Sequence, residues 1–104
     1  MPAPLPWIRR LVRRRRYHIT DHAAIAMLED SVGTNDLETA ILSDRAEVIE
    51  DYPRDPKGPS CLVLGWIEPS SPLHIVVGYS GGRPDIITVY RPDPRRWIDF
   101  KRRR

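Results

Sequence analysis

The sequence predicts an α+β fold: two N-terminal helices packed on a four-stranded antiparallel sheet, with a short C-terminal helix. Three observations predict it. First, Cys61–Trp66, Leu73–Tyr79 and Asp85–Tyr90 are short runs rich in Val and Ile, separated by Pro69-Ser70-Ser71-Pro72 and Ser80-Gly81-Gly82-Arg83-Pro84. Apolar runs bounded by Pro, Gly and Ser clusters read as strands joined by turns. Second, Ala46–Tyr52 adds a more charged strand before them, suited to a sheet edge. Third, two upstream segments carry apolar residues at helical spacing behind capping residues. At 104 residues the chain makes one domain, long enough to bury a core without metal or disulfide staples.

In chain order, residues 1–16 read as a basic, Pro/Arg-rich extension. Met1–Pro6 is extended, and Trp7-Ile8-Arg9-Arg10-Leu11-Val12 suits one or two amphipathic helical turns. It serves either as a basic anchor that folds on a partner or as a weakly docked tail. The domain proper spans 17–100. Tyr17–Thr20 is short and β-like, and Thr20 or Asp21 caps a helix over His22–Asp30. On its wheel Ala24, Met27 and Leu28, flanked by Ile25, form the apolar side, and His22, Ala26 and Glu29 share the opposite stripe. Thr34 or Asn35 caps a second helix, with Asn35-x-x-Glu38 as a capping box and Leu37, Ala40 and Ile41 buried. Pro53–Ser60 is a polar loop. After Tyr90, Asp93 and Pro94 suit the start of a terminal helix that docks Trp97. The last four residues, 101–104, read as a free basic tail.

The sheet's faces can be sorted by alternation. Leu73, Ile75, Val77 and Tyr79 share one face, and His74, Val76 and Gly78 the other. Pairing Ile75 with Val89 and Val77 with Ile87 keeps apolar against apolar, and a one-residue slip would scramble it. The same register sets His74 opposite Tyr90 and Val76 opposite Thr88.

The formal net charge is only +3, but it is lopsided. Arg9, Arg10 and Arg13–Arg16 crowd the first twenty residues, and Arg91, Arg95, Arg96, Lys101 and Arg102–Arg104 crowd the last fourteen. The body between them is acidic. Basic ends on an acidic body suit a polyanionic partner, or are solubilising tails. The single cysteine, Cys61, lies in an apolar run, has no internal partner and fits a reducing, cytoplasmic setting. No run is long enough to span a membrane, and the N-terminus has no apolar signal-peptide region. Zinc spacing, a Gly-rich phosphate loop and a nucleophile elbow are all missing from the sequence. No metal and no cofactor are expected.

Taken together, YHITDHAAIAM, VIEDYP, PSCLVLGW, PLHIVVGY and ITVYRPDPRRW resemble the small bacterial family called domain of unknown function 4258, over about Tyr17 to Trp97. That resemblance implies kinship with RelE- and BrnT-like toxins of the barnase-, EndoU- and colicin-type ribonuclease group. It further implies metal-independent RNA cleavage and an antitoxin partner. One departure stands out. The family's helix reads H-A-x-x-R-M, whereas here Ala26 stands where the Arg belongs, and Asp30 replaces a second Arg downstream.

Such cleavage needs a base, an acid and a cation for the phosphorane oxygens. The residues expected to supply them are His22, Glu29, His74, Thr88 and Tyr90, with Arg91 or Arg83 as the cation. Arg13, Arg14, Arg15, Arg16, Arg83, Arg91, Arg95 and Arg96 would hold the RNA backbone. The two histidines matter only if they meet across one cleft. Otherwise His22 is a helix-start residue and His74 a hydrogen-bonded core histidine. Three readings follow: a metal-independent endoribonuclease of RelE/BrnT-like type, a disarmed nucleic-acid-binding domain on the same fold, and a module that binds an acidic protein partner such as an antitoxin segment.

Overall fold

The computed structural model describes residues 4–104. Its elements run α1 (Leu5–Arg13), β1 (His18–Ile19), α2 (Asp21–Glu29), α3 (Thr34–Leu42), β2 (Glu47–Tyr52), β3 (Ser60–Glu68), β4 (Ser71–Gly78), β5 (Asp85–Tyr90), β6 (Trp97–Ile98) and β7 (Arg102–Arg103). The fold is α+β, but the sheet has five strands in the order β1-β5-β4-β3-β2. The fifth is β1, which runs parallel to β5 through His18↔Asp85 and Ile19↔Ile86. A two-residue strand carries too little alternation to announce its pairing, so the expected four-stranded antiparallel sheet missed it.

The central register follows the apolar pattern for most of its length. Ile75 pairs with Val89, Val76 with Thr88 and His74 with Tyr90. The expected Val77–Ile87 pair does not form. A bulge between Val76 and Val77 sets Val77 against Ile86, which buries Ile86 completely and leaves Ile87 38% exposed. One extra residue in one strand is enough to shift every later side chain by one position.

One sheet face, carrying Cys61, Val63, Leu73, Ile75, Val77, Ile86 and Val89, meets Ala23 and Met27 of α2 and Leu37, Ala40 and Ile41 of α3 in a single core. Helix α3 lies very close to β3. A Cβ built on Gly65 would fall 2.3 Å from the carbonyl oxygen of Ala40, so glycine is required there for the approach.

The residues before Tyr17 are not a loose tail over their described part. Helix α1 packs on α3, with Ile8 and Val12 fully buried in the shared core. Arg9 reaches across to the end of α3, donating to the carbonyls of Ile41 at 2.9 Å, Ser43 at 2.7 Å and Leu42 at 3.2 Å. These are the orphan acceptors every helix C-terminus leaves, and a cation suits them. Helix α1 closes with Arg15 in the left-handed region (φ 57). The Arg16 N–H bonds Leu11 O at 2.8 Å and the Arg15 N–H bonds Val12 O at 2.9 Å, the pattern of a Schellman ending without its usual glycine.

Thr20 caps α2 as expected, accepting the Ala23 N–H at 3.1 Å. Helix α3 starts earlier than the expected capping box. Gly33 is its N-cap, and the Gly33 N–H bonds Asp36 Oδ2 at 2.9 Å; Thr34 and Asn35 lie inside the helix.

The C-terminal helix is replaced by a β-hairpin. Asp93 does cap one turn, taking the Arg96 and Trp97 N–H groups on its carbonyl at 2.9 and 3.1 Å. The chain then extends, and β6 pairs with β7 through Trp97↔Arg103 and Ile98↔Arg102. Residues 101–104 are therefore part of the packed structure rather than a free tail. Among the described residues, no helix is long and apolar enough to cross a membrane.

Ile8→Ala tests whether α1 belongs to the folding unit. It should cost about 2–5 kcal/mol, as truncation of a buried Ile does, with one cooperative transition in denaturant. A loss under about 0.5 kcal/mol, the level of a surface change, would mean that α1 is dispensable.

Candidate functional site

The sheet face turned away from the helices carries polar and titratable side chains in rows. Cross-strand partners share a face, so Glu47, Leu64, His74 and Tyr90 form one row, and Glu50, Leu62, Val76 and Thr88 the next. The β6–β7 hairpin lies over these rows. Its Lys101 Nζ meets Glu47 Oε2 at 3.1 Å, and Arg103 forks onto Glu50 with contacts of 2.8 and 3.0 Å. Trp97 stands edge-on to His74, with ring centroids 4.5 Å apart. Phe100 meets Trp66 edge-on at 6.1 Å.

The hairpin turns through Asp99 and Phe100, both left-handed (φ 53 and 61), with the Lys101 N–H on Ile98 O at 3.0 Å. Two successive positive φ values match the twist of a tight hairpin. Asp tolerates this region; a bulky aromatic pays about 1–3 kcal/mol for it. The Phe100 carbonyl is thereby aimed at His74, 2.7 Å from Nε2.

His74 is fully buried. A carbonyl only accepts, so Nε2 carries the proton; Nδ1, 3.1 Å from the Tyr90 hydroxyl, then accepts from it. Burial pushes the His74 pKa below its ordinary value. The Phe100 bond and the Glu50 charge oppose that, and the Arg103 charge adds to it. Tyr90 is pushed up, chiefly by burial. Glu50 is held below the usual carboxylate range, chiefly by the Arg103 bond, so it is ionised at neutral pH and serves as an anchor. The Cys61 thiol is pushed up to about 12 by burial, with Asp51 adding to it, and is no nucleophile at neutral pH.

The structure separates the expected constellation. His74, Thr88 and Tyr90 share the hairpin side of the sheet. His22 and Glu29 sit exposed on α2, which packs on the opposite face. The two histidines do not meet across a cleft, and His74 has both ring nitrogens engaged. Arg83 is exposed in the β4–β5 loop, at the far end of β5 from Arg91. Arg13–Arg16 are exposed at the end of α1. Among the described residues, no group of three His, Cys, Asp or Glu side chains is placed to hold a metal ion.

What the structure does assemble is a hollow of about 670 Å³ beside the hairpin, to which Arg91, Arg95, Arg96, Arg103 and Arg104 contribute against one acid, Asp93. These arginines are not equivalent. Arg91 is tied to α2, its N–H on Asp30 Oδ2 at 2.9 Å and its Nε on Asp30 O at 3.1 Å. Arg95 is paired with Asp93 at 3.0 Å, and Arg103 with Glu50. Arg104 Nε donates only to the Pro94 carbonyl at 2.9 Å. The Arg96 side chain makes no hydrogen bond or ion pair among the described residues. Arg103 and Arg104 were missed because a KRRR ending reads as a solvated tail. The signal was present in the preceding Trp97-Ile98-Asp99-Phe100, two aromatics flanking a turn-tolerant Asp.

A family model described as Domain of unknown function (DUF4258) matches residues 19–91. Helix α1 and the β6–β7 hairpin lie outside that span. No curated protein and no solved structure matches the chain.

Because the folded state resists protonating His74, acid should destabilise it. From about pH 6.5, the ordinary His value, downwards the unfolded chain takes up a proton that the folded chain refuses, so stability falls as pH falls through this window. Denaturant midpoints at about pH 7.5 and 5.5 measure it, with His74→Leu less stable throughout but losing less between the two. An equal loss in both proteins would contradict a buried neutral ring.

Proposed function

The chain belongs to the family of domain of unknown function 4258, and on that footing we propose that it binds the phosphate backbone of RNA in the arginine-lined hollow beside its C-terminal hairpin, without cutting it. The observation that carries this is the convergence of five arginines on one hollow while the acid–base candidates lie on opposite faces of the sheet. Guanidinium groups suit phosphate, offering paired donors in a fixed plane. Arg96 and Arg104 are the cations readiest to engage it. Arg95 can exchange its carboxylate for a phosphate at little net cost, since its pair with Asp93 lies at the surface and surface pairs hold weakly; Arg103 stays on Glu50.

The floor of the hollow argues for backbone contact over base reading. Trp97 is buried under Arg103, whose guanidinium lies 4.7 Å from the ring centre, and the Tyr90 hydroxyl is engaged by His74. Neither ring is free to act as an open stacking platform, Trp97 being buried and Tyr90 half-buried. Sequence-tolerant, salt-sensitive binding is the expected consequence.

The ribonuclease reading, with its RelE/BrnT-like kinship and antitoxin partner, rests on the resemblance alone. Ala26 in place of the family Arg weighs against it, because the phosphorane then lacks its cation on that helix.

The test is fluorescence anisotropy of a labelled single-stranded RNA over a salt series, in EDTA, with the RNA run on a gel afterwards. Binding should fall with a log–log slope of about −0.7 per phosphate neutralised. Arg95→Ala, Arg96→Ala and Arg104→Ala combined should weaken it by about tenfold or more, with a shallower slope. Binding that ignores salt or the triple substitution would sink the proposal. Cleavage abolished by His22→Ala would replace it with the ribonuclease reading.

A further inference from the structure

Helix α2 wears its apolar side outwards. The expected core stripe of Ala24, Ile25, Met27 and Leu28 is split by the structure. Ala23 and Met27 are buried, whereas Ile25 is 58% and Leu28 81% exposed, and Ala24 is exposed beside them. Ala24 and Leu28 are four apart and Ile25 and Leu28 three apart, so the three form one contiguous patch.

Polar ties at both ends hold the helix in this rotation. At its start the Thr20 hydroxyl donates to Ile86 O at 2.9 Å while accepting the Ala23 N–H. At its end Arg91 grips Asp30 by side chain and carbonyl. Ser31 then turns through the left-handed region (φ 55), and the Val32 N–H closes on Met27 O at 2.8 Å, burying Val32. A helix free to roll would bury its Ile and Leu; this one is pinned with both in water.

The rim of the patch says what covers it. Asp21 and Glu29 are exposed, one turn before and one turn after Ile25, and neither side chain makes a hydrogen bond or ion pair among the described residues. Two copies meeting antiparallel through Ile25 would set Asp21 of one against Glu29 of the other, like charge on like. A cationic surface would instead find an acid at each end.

We propose that the outer face of α2 is a docking surface for a cationic amphipathic helix of another protein, with apolar side chains at i, i+3 and i+4 on Ile25 and Leu28 and Lys or Arg reaching Asp21 and Glu29. This is the helix-on-helix form of peptide recognition. It does not rest on the RNA-binding reading: the outer face of α2 lies on the other side of the sheet from the hairpin, although Arg91 both lines the hollow and ties the end of α2.

The probe is a labelled helical peptide of leucine and lysine with its leucines on one face, beside a leucine–glutamate counterpart, titrated into the full chain. The lysine peptide should bind, and the glutamate peptide should bind several-fold more weakly. Ile25→Asp with Leu28→Asp should weaken the lysine peptide about tenfold or more, the scale on which buried anchors act. Asp21→Asn with Glu29→Gln should cost a smaller factor and steepen with falling salt. All four side chains are solvent-facing, so the variants should stay folded, the two aspartates lowering the melting temperature modestly through helix propensity and the helix dipole. Equal binding by the native chain and the Ile25/Leu28 variant would overturn the proposal. So would equal binding of the two peptides, or a dimer of the native chain that Leu28→Asp dissociates, which would make a second copy the occupant.

Discussion

A buried imidazole has to have partners for both ring nitrogens, and much of the C-terminal half of this molecule follows from meeting that need at His74. Water is excluded from the ring, so an unpaired nitrogen would carry a penalty of about 1–3 kcal/mol. Tyr90, opposite on the next strand, supplies one partner through register alone. The other must come from outside the sheet, and Phe100 supplies it from a hairpin turn with two left-handed residues. The hairpin in turn positions Trp97 over the imidazole and brings Lys101 and Arg103 to the carboxylates of β2. The hollow lined by Arg95, Arg96 and Arg104 is a by-product of the same placement.

Arginine is the most conspicuous residue in the sequence, and the structure divides it between two uses. Arg9 closes the end of α3, the Arg91 guanidinium holds the end of α2, and Arg103 clasps the edge strand. Each meets acceptors that a neutral side chain would serve less well: orphan helix carbonyls in two cases and a carboxylate in the third. The remainder, including Arg13–Arg16, Arg96 and Arg104, faces solvent. A net charge read from composition counts both groups alike, so it overstates what is free to meet a polyanion.

The arginine hollow and the outer face of α2 lie on opposite sides of the sheet and differ in chemistry. One is a cationic hollow on the hairpin side, where Coulomb attraction dominates. The other is an apolar stripe with an acidic rim on the helix side, where desolvation dominates and charge sets orientation. If both proposals hold, the polyanion and the basic segment would meet different residues, arginines in one case and Ile25, Leu28, Asp21 and Glu29 in the other.

The strands β3, β4 and β5, the α3 stripe and the Thr20 cap were legible in the sequence, because each depends on residues near one another in the chain: alternation, helical spacing, a cap and its first turn. The His74–Tyr90 pair was legible for the same reason, as a consequence of register. Three things required the tertiary structure. The pairing of β1 with β5 joins segments more than sixty residues apart. The rotation of α2 buries Ala23 and Met27 and leaves Ile25 and Leu28 outside, with long-range contacts of Thr20 and Arg91 holding its two ends. The conversion of the arginine tail into a hairpin depends on a buried ring in β4 whose second hydrogen bond no local pattern can locate. Which side chains a fold brings together across long loops is settled by burial and polar pairing summed over the whole core, and the separation of His22 from His74 is the clearest case of it in this protein.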